Sequence, residues 1–254
     1  QRSKKTALCL AGGCAMNSVA NGKIFERTKF RDLYVQAAAG DAGGAIGAAY
    51  EVWHQHLKKP RSFQMTHAYW GPDFQESAYS QLIESKRREL DTAGCVASFM
   101  KDEHVLCQTT ASAIMEGKVI GWFQGRMEWG PRALGNRSIL CDPRRSDMKS
   151  ILNLKIKRRE SFRPFAPSIL RESVSEWFEM DYDVPFMLQV YLIRKDKRSR
   201  IPAVCHVDGS GRLQTVTRKE NPRYYALILE FARLTGVPIV LNTSFNENEP
   251  IVCR

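Results

Sequence analysis

Apolar and polar positions fall into blocks along the chain, and the blocks outline its elements. Residues 7–10 are apolar and run into Ala11-Gly12-Gly13, which predicts a strand, a glycine turn and then a helix. Residues 33–36 repeat the arrangement before the small-residue run from Ala37 to Ala49. Between residues 58 and 94 prolines and aromatics surround one charged helical stretch, 74–90, which reads as a connector. A helix is expected to start at Thr109-Thr110-Ala111, and residues 119–123 have the length and flanks of a buried strand. Met148, Ile151, Leu152 and Ile156 recur at helical spacing behind Ser146, the expected N-cap. Residues 172–180 read as a helix, and 186–193 and 201–208 as strands. Asn221-Pro222 opens a helix that Gly236 closes, and 237–241 forms a buried strand. Strands and helices are thus interspersed, the pattern of an α/β chain.

Composition narrows the class. The 254 residues suffice for one large or two modest domains, and 43% hydrophobic with 10% aromatic residues exclude a disordered protein. No apolar run reaches bilayer-spanning length, so no membrane partner is expected. The seven cysteines are scattered without a C-x-x-C pair, which fits a reducing, cytoplasmic setting. A net charge of +11 implies anionic partners.

The placement of that charge selects a candidate site. Lys86-Arg87-Arg88 and residues 194–198 read as solvated surface runs. Strand 119–123, in contrast, empties into Gln124-Gly125-Arg126, and glycines and arginines recur as far as Arg137. A second cluster, Lys155, Lys157, Arg158 and Arg159, ends the following helix, and there a solvated end facing the helix dipole is the competing reading. Arg126, Arg132, Arg137, Lys157, Arg159 and Arg163 are interleaved with Trp122, Trp129, Phe162 and Phe165 and with the turns Gly130-Pro131 and Arg163-Pro164. Guanidiniums held by such packing suit phosphate or carboxylate recognition. The turn at Gly12-Gly13 lets backbone N–H groups approach a phosphate, or is simply a tight turn. Asp41 reads from its spacing as a helix cap rather than a metal ligand. The polar residues 242–246, closing an apolar strand, read first as turn chemistry.

At these motifs the chain resembles a known family. Residues 125–140 (GRMEWGPRALGNRSIL) and 155–168 (KIKRRESFRPFAPS) are similar to the signature of O-carbamoyltransferases that modify antibiotics and nodulation factors. Lys157-x-Arg159 with Pro164, and Ser244-x-Asn246, are similar to the K-x-R-x4-P and S-x-N motifs of YrdC-like domains. Behind Gly209-Ser210-Gly211, Arg212 reads on its own as a hairpin residue, yet residues 206–216 (HVDGSGRLQTV) resemble the family's stretch whose arginine, here Arg212, faces the donor phosphate. Residues 10–18 (LAGGCAMNS) and 40–49 (GDAGGAIGAA) look like the paired motifs of the family's first, actin/sugar-kinase-like ATPase domain.

The resemblance implies the end of that ATPase domain over residues 1–56, a connector over 57–100, and a YrdC-like twisted-sheet domain over 101–254. It implies carbamoyl phosphate, ATP with Mg and a hydroxyl-bearing small-molecule acceptor as partners, with carbamoyl-adenylate formed in the second domain and the carbamoyl group transferred in the first. Arg132, Lys157, Arg159 and Arg212 would be catalytic; Gly12, Gly13, Asn17, Ser244 and Asn246 would bind nucleotide or donor. Asp41 would complete a site for a transition metal, iron by resemblance, whose other ligands come from an upstream H-x3-H pair. This chain has only His54, His56, His67, His104 and His206, none so spaced, and it is expected to be the carboxy-terminal part of a longer protein, inactive alone in acceptor transfer. Removal of Lys157 is expected to abolish donor binding at little cost in stability. The rival reading is a YrdC-like module that holds double-stranded RNA or tRNA; the paired ATPase and S-x-N motifs favour the enzyme over nucleic-acid binding.

Overall fold

The structure, a computed structural model, describes residues 4–247 and 249–253. Strand β1 (Ala7–Leu10) pairs in parallel with β2 (Asp32–Val35), Leu8 opposite Leu33 and Leu10 opposite Val35. Between them lie two short helices, α1 (Ser18–Gly22) and α2 (Ile24–Arg27). Beyond β2 comes α3 (Gly43–Glu51), which widens into a π turn at Val52–His56.

Two helices, α4 (Glu76–Ser85) and α5 (Arg87–Thr92), replace the single helix expected over 74–90, because Lys86 leaves helical geometry between them (φ −101°, ψ 6°). Helix α6 (Glu103–Met115) begins a turn and a half before the expected start. Asp102 is its cap: its carboxylate accepts from the backbone N–H groups of His104 and Val105, so Thr109-Thr110-Ala111 sits mid-helix.

The remaining elements are β3 (Ile120–Phe123), β4 (Arg137–Cys141), α7 (Met148–Ile151) with its π-turn extension Leu152–Ile156, β5 (Ala166–Leu170), α8 (Val174–Trp177), β6 (Gln189–Leu192), β7 (Ser210–Val216), α9 (Pro222–Thr235) and β8 (Ile239–Ser244). Six of the strands form one mixed sheet in the order β3-β4-β8-β5-β7-β6, antiparallel except for the β5–β7 pair. Asp147 rather than Ser146 stands at the start of α7, and its side chain makes no capping bond. Residues 201–208 are not a strand: 3-10 turns at Arg198–Arg200 and Pro202–Val204 occupy the region, since Pro202 has no N–H to give a ladder. The helix expected over 172–180 is a 3-10 turn followed by the single turn of α8, closed by extended Phe178.

Two apolar cores hold the fold. The larger includes Cys107, Ala111 and Ile114 of α6, Leu227, Ile228 and Phe231 of α9, and Ile139, Ile169, Leu213 and Leu241 of the sheet. Each such large side chain contributes about 1.5–3 kcal/mol on burial. The smaller joins Ala15, Val35, Ala37 and Ala39 to Leu134, Ala166 and Phe186, so the β1–β2 unit packs against the sheet's loops. Residues 68–72 are tied to the same loops: Trp129 N donates to Ala68 O at 2.6 Å, Gly71 N to Met127 O and Met127 N to Pro72 O, both at 2.8 Å. Among the described residues no helix is long and apolar enough to cross a membrane.

Candidate functional site

The β3–β4 connection, residues 124–136, is long for a hairpin loop, a length that usually carries function. Buried Glu128 holds it in shape. Its Oε1 accepts from Leu134 N at 2.6 Å, Asn136 N at 2.9 Å and, more weakly, Arg137 N at 3.4 Å. Burial raises this carboxyl's pKa, and the backbone donors oppose the rise. Below the loop, Asn242 Nδ2 donates to Ala133 O at 3.1 Å and Gln214 Nε2 to Leu134 O at 2.8 Å, anchoring the backbone just past Arg132. Gly135 (φ +109°) is required here, since a Cβ would stand 2.2 Å from the Tyr224 ring. Glu128→Ala should cost about 2–4 kcal/mol in urea unfolding, because three buried N–H groups lose their acceptor, whereas Glu128→Gln keeps one and should cost less.

Three guanidiniums converge. Arg212 lies on β7, cross-strand from Val190 on β6, and the charges of Arg132 and Arg159 both act on it. Burial comes first and these neighbours second in pulling its pKa down; burial also lowers Arg132 and Arg159. Arg159 is aimed by Asn153, whose Oδ1 accepts from its Nε at 2.8 Å, and lies over the Phe165 ring. The Nε atoms of Arg132 and Arg212 are buried without partners, and among the described residues no carboxylate lies within ion-pair distance of any of the three. A guanidinium cannot shed its proton to relieve such crowding, so the cluster is complementary to an anion.

The other basic residues of the motif are engaged elsewhere or exposed, although the charge of Arg163 also acts on Arg159. Arg137 is wholly buried, stacked 3.5 Å over Phe123, with Nη1 donating to the carbonyls of Gln124, Gly125 and Asn136. Arg163 forms an exposed pair with Glu160, and Arg126 is exposed.

Lys157 has a structural task that its place in the motif did not reveal. The π turn ends at Ile156 and turns this side chain inward, where it is 1% exposed. Its Nζ donates to Ser244 O and Ser244 Oγ, to Asn246 O at 2.6 Å and to Asn246 Oδ1 at 2.9 Å. Ser244 Oγ donates to Asn246 Oδ1 at 2.6 Å, so Lys157, Ser244 and Asn246 form one closed knot at the end of β8. Burial and then the charge of Arg159 push the lysine's pKa down to about 8. A thermally silent removal of Lys157, expected from the sequence, does not fit this arrangement.

Gly12, Gly13, Asn17 and Asp41 lie on the β1–β2 unit. Gly12 N donates to Ala39 O at 2.6 Å, which joins the two glycine turns, and Asn17 Oδ1 accepts from Ala20 N at 3.0 Å as the cap of α1. Asp41 is exposed and does not cap α3, which starts behind Ala42 with no side-chain capping bond. It borders a cavity of about 650 Å³ shared with Met16, Glu128, Trp129 and Pro131. Among the described residues no three His, Cys, Asp or Glu side chains are grouped to hold a metal, and Glu128 is already engaged. The residues present therefore do not fit a transition-metal site.

Sequence reasoning passed over Glu128 and His206. An acidic residue inside a glycine-arginine loop, and the histidine heading the 206–216 motif, were the available signals.

Among known proteins, a family model described as carbamoyltransferase C-terminus matches residues 111–254, and one described as carbamoyltransferase N-terminus matches residues 1–50. The chain is 45% identical over 251 residues to nodulation protein NolO of Bradyrhizobium diazoefficiens, covering 97% of this chain and 44% of that protein. It is 37% identical over 240 residues to nodulation protein U of the same organism, covering 94% and 38%. With 3'-hydroxymethylcephem-O-carbamoyltransferase of Amycolatopsis lactamdurans it shares 34% identity over 241 residues, 95% of this chain and 42% of that enzyme. The chain thus spans less than half the length of these relatives.

Proposed function

Because the chain belongs to the carbamoyltransferase family, we propose that its cluster of guanidiniums activates carbamoyl phosphate at the expense of ATP. The observation that carries this reading is the grouping of Arg132, Arg159 and Arg212, whose charges act on Arg212, with no carboxylate partner among the described residues. In the reaction proposed, water releases inorganic phosphate from carbamoyl phosphate and leaves carbamate. A carbamate oxygen then attacks the α-phosphorus of ATP, the bond to the bridging oxygen breaks, and pyrophosphate departs from carbamoyl-adenylate. Apart from the water, every species on this path is an oxyanion. Fixed guanidiniums in a site of low dielectric stabilise the charge that develops at phosphorus, and they need no reorganisation as it does.

Arg132 and Arg212 would bind phosphate oxygens through their terminal nitrogens, with Arg159 beside them. Ser244 and Asn246, knotted to Lys157, would form the polar wall next to the nucleotide phosphates, whose magnesium travels with ATP. In the same reading the six-stranded sheet is a YrdC-like unit and the β1–β2 unit is the end of an actin/sugar-kinase-like ATPase unit. Gly12, Gly13 and Asn17 border a nucleotide there, and Asp41 needs further ligands before it holds metal. The acceptor would be a hydroxyl-bearing small molecule, the class named for the Amycolatopsis relative. A nucleic-acid backbone is a poorer match, because it calls for exposed cations along a groove and these arginines are recessed.

The test is pyrophosphate release from ATP and magnesium with and without carbamoyl phosphate. Release that depends on carbamoyl phosphate is expected; equal release in its presence and absence overturns the proposal.

A further inference from the structure

Strand β7 starts behind a tight turn in which His206 N donates to Ser210 O at 2.7 Å and Gly209 N to His206 O at 2.9 Å. The turn lays the imidazole on the first residue of the strand, Nδ1 standing 3.0 Å from Ser210 Oγ. Ser210 Oγ is 2.6 Å from Asp208 Oδ1, which also accepts the Ser210 backbone N–H at 3.0 Å. These two donors hold the Asp208 carboxyl below its usual range, so it is ionised and can only accept. Ser210 therefore gives its one hydroxyl proton to Asp208 and offers a lone pair to the ring. The imidazole proton is thereby placed on Nδ1, and Nε2 is left as a bare acceptor.

That acceptor is buried and has no partner among the described residues. Successive side chains alternate across a strand, so Arg212 shares the face on which the ring meets Ser210. The Arg212 charge acts on the ring, as do those of Asp208 and Lys149. Arg212 Nε is itself a buried donor without a partner among the described residues. Two complementary orphans thus occupy one neighbourhood, an arrangement that calls for a state in which they meet.

We infer that His206 is a positioning residue for Arg212, accepting the Arg212 Nε–H on Nε2 when an oxyanion engages the terminal nitrogens of the guanidinium. The Asp208–Ser210–His206 relay sets the tautomer that makes this possible. The inference rests on Arg212 being the anion-binding group of the activation site, and the experiment separates the two claims.

Carbamoyl-phosphate-dependent pyrophosphate release is compared for the chain and for His206→Leu, His206→Gln, Arg212→Ala and the double variant His206→Leu/Arg212→Ala, each checked by thermal melting. His206→Leu should lower kcat/KM for carbamoyl phosphate about a hundredfold, as expected when a reacting-group ligand is misplaced. His206→Gln, whose Oε1 can accept the same hydrogen bond, should restore most of the loss. The double variant should be no worse than Arg212→Ala, because the histidine acts only through the arginine. Additive losses in the double variant, or equal damage from Leu and Gln accompanied by a lower melting temperature, would assign His206 a separate or purely structural role and overturn the inference. An active His206→Leu beside an inactive Arg212→Ala overturns it while leaving the anion site standing. An active Arg212→Ala removes the anion-site reading, and this inference with it.

Discussion

Replacing Arg212 with alanine should lower carbamoyl-phosphate-dependent pyrophosphate release by about a hundredfold to a thousandfold, the usual effect of deleting a fixed donor aimed at developing charge. The same substitution should leave the melting temperature unchanged or raise it. The charges of Arg132 and Arg159 act on Arg212, its Nε has no partner among the described residues, and burial disfavours its charge, so its removal relieves repulsion. A loss of activity without a loss of stability distinguishes a functional cation from a structural one. Anions supply a second measure. Inorganic phosphate, binding only the folded chain, should raise the melting temperature of the wild type by linkage and that of Arg212→Ala much less. If phosphate stabilises both proteins equally, the three guanidiniums are not an anion site.

Lys157→Ala should behave in the opposite way, destabilising the chain by roughly 2–4 kcal/mol in urea unfolding. Four oxygens of Ser244 and Asn246 surround its Nζ. With alanine, Ser244 O keeps the Asn246 N–H and Asn246 Oδ1 keeps the Ser244 hydroxyl, but Asn246 O loses its donor and the half-buried end of β8 loses the ammonium that ties it together. Under the proposed function activity should fall too, because the wall that Ser244 and Asn246 would form beside the nucleotide loses its support. The pH dependence has a definite sign. The folded-state pKa, about 8, lies below the ordinary value of 10.5, so between these limits the unfolded chain binds more protons than the folded one. The cost of burying the ammonium is fully present below pH 8 and is relieved as the pH rises from 8 toward 10.5. Measured against Lys157→Met, the stability of the wild type should therefore improve across that window. A difference that stays flat with pH would show that Lys157 does not titrate there.

The contrast between Arg212 and Lys157 marks how far the sequence could be read. Elements with local signals emerged from the residues themselves. Residues 7–10 form β1 as expected, and α9 opens at Asn221-Pro222, with Asn221 Oδ1 accepting from Tyr224 N, and closes on Gly236 at φ +69°. Elements decided by competition between signals did not. Thr109-Thr110-Ala111 resembled a helix start, yet Asp102 lay seven residues upstream with a better acceptor for the first N–H groups. Residues 201–208 are apolar enough for a strand, but Pro202 interrupts the donors a ladder needs. The basic motif was legible as a set of arginines, whereas the division of labour within it was not. Arg137 turns onto backbone carbonyls and Lys157 onto a strand end, while the charges of Arg132 and Arg159 are left to act on Arg212; those outcomes depend on which strands neighbour which. Glu128 escaped notice for the same reason, since its partners at Leu134 and Asn136 are recognisable only once the loop is closed.

The packing of α1 on β6 has a consequence for self-association. The mixed sheet ends at β6, and a terminal strand offers unpaired backbone groups to any other strand that passes. Here that margin is covered: Asn21 Nδ2 donates to Leu188 O at 3.0 Å as well as to Ala15 O at 2.8 Å, and Gly22 sits so close to Val190 O that a Cβ would stand 2.0 Å from it. The small first unit therefore blocks edge-to-edge pairing of the larger sheet. A chain shortened past residue 23 would keep the arginines but expose a sticky strand edge, and its characteristic failure would be aggregation at high concentration rather than loss of the cationic cluster. Any attempt to study the sheet alone has to supply that missing cover.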